Sequence, residues 1–148
     1  MSSVSDPHHV DEADYRAVLD LKFRYCRLVD AHDWEGLRAL FTVDATFDLP
    51  LWDHVMSRDE AMAAYADRMR SVESIHVVSM PLVEVLGEDR VSVEWHMEDR
   101  LYLADSTVQG FGRYEDTCVR EAGQWKFASL RLVRLRREST SRTSVESI

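Results

Sequence analysis

Two groups that can share a proton stand at junctions of this sequence: Asp30 closes its first apolar-periodic run, and His76 opens its first long β-type run. Asp30 falls one helical turn beyond Cys26 and beside the flank Leu19, Phe23 and Cys26, which sets a carboxylate at the edge of a mostly apolar surface. A carboxylate there must be solvated or paired, so a helix cap or an arginine partner is the plain alternative to a functional role. A lone strand histidine is likewise most often a satisfied core or rim residue. As a pair the two have a definite chemistry. A carboxylate that accepts from one imidazole nitrogen fixes the tautomer and leaves the other nitrogen a better proton acceptor. Such a base suits removal of an acidic C–H beside a carbonyl, or activation of a hydroxyl for ring closure, and needs neither a metal nor an organic cofactor.

A third carboxylate is marked by parity. Val91, Val93, Trp95, Met97, Leu101 and Leu103 alternate onto one strand face, and Asp99 is the odd member of that series. Unbroken alternation points Asp99 inward, where apolar surroundings raise a carboxyl pKa and suit it to donate a proton to a developing oxyanion. A bulge or a rim position, from which it reaches water, is the alternative. Glu94, His96 and Glu98 lie on the opposite face and read as a solvated or subunit-facing surface; no metal is predicted. Trp95, Met97, Phe127, Tyr25 and Trp52 are candidate pocket lining, or simply core. His8 and His9 sit in a polar N-terminal arm and read as solvated.

The elements that must position these groups follow from periodicity. From Ala13 on, Val18, Leu21, Tyr25, Leu28 and Val29 share a helical stripe so wide that protein must cover much of that helix. Asp33 can cap a short second helix through Leu37, Leu40 and Phe41, and Ala45 to Leu51 reads as a short strand. Ser57 and Glu60 form a capping box ahead of a third helix, about Arg58 to Ser71. Four β-type runs follow, Ile75 to Leu86, Arg90 to Leu103, Thr107 to Arg120 and Gln124 to Arg136, joined by hairpin-length links that predict an antiparallel meander. Helices followed by a meander is an α+β arrangement, with helices packed on one face of a sheet. Residues 1–137 read as a single domain and residues 138–148, rich in Ser and Thr, as a flexible tail.

Composition bounds the partners. The chain has 148 residues and a net charge of −9, with 18 Lys and Arg against 27 Asp and Glu, which argues against a nucleic-acid surface. The cluster Arg131, Arg134, Arg136 and Arg137 reads as the polar positions of a strand end rather than an anion site. No apolar run reaches the roughly 20 residues of a membrane span, and the first residues lack a signal-peptide pattern, so a cytoplasmic location and no membrane partner are expected. Cys26 and Cys118 have no metal or redox spacing and read as small buried residues.

The stretches RYCRLVDAHDWEGLRALFTVDATFDL at Arg24 to Leu49, SIHVV at Ser74 to Val78 and GRYEDTCVREAGQWKFASLR at Gly112 to Arg131 resemble the nuclear transport factor 2-like superfamily, in particular its SnoaL-like branch, which includes scytalone dehydratase. The resemblance implies a cone of three N-terminal helices packed on a curved antiparallel sheet, a pocket at its open end, and a homodimer or higher homo-oligomer. It implies that Asp30 and His76 face that pocket and that Tyr114 holds a pocket position, where its hydroxyl can bond a substrate carbonyl or its ring simply walls the pocket. It also implies lining by Val29 and Leu49, where the dehydratase carries water-holding tyrosines, and by Leu101, in place of a second histidine. Limonene epoxide hydrolases of the same fold carry a late Trp-Arg-Asp, where this chain has Trp125-Lys126-Phe127. The expected function is thus a cofactor-independent lyase, isomerase or cyclase, dehydratase-like or polyketide-cyclase-like, acting on a small hydrophobic oxygenated ligand. The rival is a non-catalytic binding protein, or a structural subunit like the small subunits of ring-hydroxylating dioxygenases.

Overall fold

A computed structural model describes residues 10–142. Helix α1 spans Glu12–Asp30, capped by Asp11, whose carboxylate accepts from the Asp14 N–H at 2.8 Å. Val18, Leu21, Tyr25, Cys26 and Val29 are buried along it, and so is Lys22. Helix α2 (Trp34–Arg38) starts on the Asp33 cap as the sequence suggests. Phe41, expected in that helix, instead opens β1 (Phe41–Asp48). The two-residue β2 (Met56–Ser57) runs into α3 (Arg58–Arg68), which begins at the Ser57 cap. The helices are therefore not an uninterrupted N-terminal block, since β1 and β2 stand between α2 and α3.

Four long strands follow: β3 (Glu73–Gly87), β4 (Arg90–Tyr102), β5 (Ser106–Glu121) and β6 (Gln124–Ser141). They pair antiparallel in sequence order as a meander. The sheet as a whole is mixed, because β1 lies parallel to β6, giving the order β2-β1-β6-β5-β4-β3 in one curved, unclosed sheet. The flexible tail expected from Glu138 is not found over its first residues: Glu138 to Ser141 pair with Ser106 to Gln109, and the Arg142 N–H donates to the Asp105 carbonyl. His8, His9 and residues 143–148 lie outside the described residues. Among the described residues no helix is long and apolar enough to cross a membrane.

The inner sheet face and the helices share one core. Phe41, Phe47 and Phe127 are fully buried in mutual contact, with ring centroids 4.3 and 4.8 Å from Phe41, and Tyr25 packs edge-on against Phe41, Phe127 and Tyr114. Rings of this size stabilise by roughly 1.5–3 kcal/mol each on burial, so this cluster anchors α1 to the sheet. A charged pair lies inside it. Lys22 and Asp116, both fully buried, meet at 3.1 Å, and the Lys22 ammonium stands 3.5 Å from the centroid of the Tyr114 ring. Burial lowers the Lys22 pKa against the pull of Asp116, and raises that of Asp116 against the pull of Lys22.

Candidate active site

Asp30 is the last residue of α1, and that helix ends over the inner face of β3. Its carboxylate accepts three hydrogen bonds from that strand, from Ser74 Oγ at 2.8 Å, the His76 N–H at 3.0 Å and His76 Nδ1 at 2.7 Å. Ser74 and His76 are two apart on a strand, so they share a face and reach one carboxylate together. An acceptor at Nδ1 places the ring proton there and leaves Nε2 with its lone pair free. The His76 side chain is 10% exposed and lines the main cavity.

The sheet register then carries the site across four strands. His76 is paired with Asp99, Asp99 with Gly110, and Gly110 with Arg137. Asp99 does point inward and is 4% exposed, as the alternation of β4 requires. The proton-donor role expected of it does not fit its contacts. Arg134 grips it with two parallel hydrogen bonds, Nη1 to Oδ1 at 3.0 Å and Nη2 to Oδ2 at 2.9 Å, so both oxygens serve as acceptors. Asp99 in turn holds the guanidinium pKa above its ordinary value. The fork lies over Gly110, where a Cβ would overlap Arg134 Nη1 and Asp99 Oδ1; the absence of a side chain makes room for it.

Arg134 and Arg137 are the residues that the sequence reading placed among ordinary strand polars. An odd spacing on a regular strand puts two residues on opposite faces. The register shows why these two share one: Phe111 pairs with Arg136 and Gly112 with Arg134, so Leu135 is an extra, exposed residue in a β-bulge. No local signal in the sequence marks that insertion.

The cavity has a volume of about 270 Å³. Of the expected lining, Tyr25, Val29, Leu49, Trp52, Leu101 and Tyr114 border it. Trp95, Met97 and Phe127 do not. They face inward but lie in the closed core, because strand parity sets the face a side chain takes and not its depth along the sheet. Tyr65 of α3 was not anticipated. Its hydroxyl meets that of Tyr25 at 2.9 Å, and Trp52 and Trp34 pack against its ring. Burial pushes the phenols of Tyr25, Tyr65 and Tyr114 above the usual tyrosine range, so all three are protonated donors at neutral pH.

Glu94 is exposed on the outer face of β4, with His96 and Glu98 part-buried beside it, His96 Nε2 lying 3.8 Å from Glu98. Among the described residues no group of three or more His, Cys, Asp or Glu is placed to hold a metal ion. The arrangement at the cavity offers one proton acceptor, three phenols of which Tyr25 and Tyr65 share one hydrogen bond, Arg134 neutralised by Asp99, and the exposed Arg68 and Arg137, against apolar walls.

A helix end docked on a strand, a row of groups paired across an open sheet and a cavity beside them define a class of small α+β pocket proteins. The chain belongs to the SnoaL-like domain family, whose family model matches residues 11–131. Among solved structures it is similar to a candidate scytalone dehydratase from Novosphingobium aromaticivorans, at 21% identity and a TM-score of 0.78 over 92% of this chain and 93% of the other. It is similar to a hexachlorocyclohexane dehydrochlorinase, LinA type 2, at 18% identity and a TM-score of 0.77 over 92% and 93%. A protein of unknown function from Mycobacterium tuberculosis aligns at 28% identity, with a TM-score of 0.74 over 84% of this chain and 73% of that one. At such identities the first two establish the shared fold.

Proposed function

We propose that this chain is a cofactor-independent lyase or isomerase in which His76 is the general base and Asp30 orients it, acting on a hydrophobic ketone or related oxygenated small molecule. The observation that carries the reading is the 2.7 Å contact between Asp30 and His76 Nδ1 at the wall of an apolar cavity, with Nε2 left free. Nε2 takes a proton from carbon next to a carbonyl, and the C–H electron pair passes into an enolate. The protonated phenols of Tyr25 and Tyr114 are donors for the oxygen that gains charge. The imidazolium then returns its proton: to a departing hydroxyl, which leaves as water, in a lyase, or to another carbon in an isomerase. Arg134 Nε is a buried N–H with no partner among the described residues, available to an oxygen of the reacting group.

Two structural neighbours are named for eliminations, a dehydratase and a dehydrochlorinase, which supports the lyase form over cyclisation. The rival reading, a binding protein or structural subunit, goes with a filled or dry cone and with Asp30 and His76 apart; the 2.7 Å contact between them at a cavity wall supports the catalytic reading. The test is solvent-deuterium incorporation into β-tetralone and related bicyclic ketones, followed by proton NMR. Wild-type protein should accelerate exchange, and folded His76→Ala and Asp30→Ala variants should not. Equal rates in all three would remove the proposal.

A further inference from the structure

Two arginines in the cavity wall have no ionic partner among the described residues. Arg68 closes α3, Arg137 stands near the end of β6, and both border the cavity while remaining exposed. The arginines around them in sequence are neutralised: Arg70 by Asp67 at 3.4 Å, Arg131 by Asp48 and Glu115 at 3.5 Å, and Arg136 by Glu138 at 2.7 Å. Arg134, inside the cavity, is held by Asp99. Among the described residues no carboxylate stands at ion-pair distance from Arg68 or Arg137, in a chain with 27 acidic residues and 18 basic ones. Asp99, which also lines the cavity, is taken up by Arg134, and among the described residues no other carboxylate pairs with these two guanidiniums. A cleft with low-dielectric walls and one sign of charge at its edge concentrates the opposite sign. A guanidinium offers a planar pair of donors that matches a carboxylate.

We infer that the molecule taken by this cavity is an apolar organic acid. Its carbon skeleton lies against Val29, Leu49, Leu101 and Leu132, and its carboxylate is met by Arg68 and Arg137. The inference rests on reading the cavity as the substrate site and is independent of which residue moves the proton. The bulge at Leu135 is what makes it possible, since it turns Arg137 to the same face as Arg134.

The experiment is titration calorimetry at low salt with naphthoate, decanoate and phenylbutyrate, each paired with its uncharged primary carboxamide. At least one acid should bind the wild-type chain about 10-fold more tightly than its amide, as expected for charge-assisted hydrogen bonds at a partly exposed site. In an Arg68→Gln, Arg137→Gln double variant the preference should shrink to about twofold or less, and in His76→Ala it should persist. Both arginines are exposed, so the double variant should keep the wild-type circular dichroism spectrum. Amides that bind as well as acids, a preference that survives in the double variant, or no acid bound at millimolar concentration would each overturn the inference. Failure of the proton chemistry alone would show as lost deuterium exchange in wild type with the acid preference intact.

Discussion

Asp99 stands directly opposite His76 across the β3–β4 ladder, with its Oδ2 4.0 Å from His76 Nε2. That separation is too long for a hydrogen bond and short enough for a strong charge interaction. A proton arriving on Nε2 therefore lands between two carboxylates, Asp30 behind the ring and Asp99 ahead of it.

Asp30→Asn keeps the shape of that side chain and removes its charge. The amide can offer Nδ1 a donor instead of an acceptor, which turns the ring to the wrong tautomer. Turnover should fall by about 10²- to 10⁴-fold, the usual contribution of a positioned base, with little change in thermal midpoint. Steady-state kinetics alongside thermal melts check both halves.

Arg134→Met leaves Asp99 buried without its counter-ion. Breaking a buried pair by removing one partner costs about 3–5 kcal/mol, so the denaturant midpoint should drop sharply. Arg134→Met combined with Asp99→Leu should recover much of that loss while remaining inactive. Urea titrations of the single and double variants measure the difference.

Gly110→Ala forces a methyl group into the space of the Asp99–Arg134 fork. Overpacking of this kind costs about 1–3 kcal/mol. Activity should suffer more than stability, because the side chains that must give way face the reacting groups. A modest fall in melting temperature together with a large fall in kcat is the expected pattern.

Alkaline pH should unfold the chain steeply. Burial raises the pKa of Tyr25, Tyr65 and Tyr114, pushes Cys26 up to about 11 and raises Cys118 as well. The folded state therefore holds protons that the unfolded chain releases once pH passes the ordinary cysteine and tyrosine values. Fewer protons bound in the unfolded state make stability fall with rising pH, by up to about 1.4 kcal/mol per pH unit for each such group. These contributions are complete below about pH 8 and lost progressively above it. Denaturant unfolding at pH 7 and pH 10 provides the check.

Local chemistry was legible in the sequence where it is written locally. The caps at Asp33 and Ser57 start helices where they predict, and the inward turn of Asp99 follows from plain alternation. What escaped depends on distant partners. Nothing local to Lys22 announces Asp116, 94 positions away, which meets it in the core. The parallel pairing of β1 with β6 has no signature in either strand. Asp99 looked like a proton donor because Arg134, its partner, was assigned to the wrong class of residue. Alternation from Leu130 and Leu132 already turns Arg134 inward; the single extra residue at Leu135 hides only Arg137, which parity counted through it assigns to the outer face.

The row from His76 through Asp99 and Gly110 to Arg137 is written into the backbone ladder itself, on the four strands that make up most of the sheet. Groups on the interior strands β4 and β5, paired at both edges, cannot open separately from the sheet, while β3, paired only with β4, can fray alone and carry His76 with it. Amide protons of Glu98 to Arg100, on a strand paired at both edges, should thus exchange with solvent only through global unfolding. Those of Ile75 to Val78 on the edge strand β3 should exchange earlier, and catalysis should fade with that edge before the whole sheet dissolves.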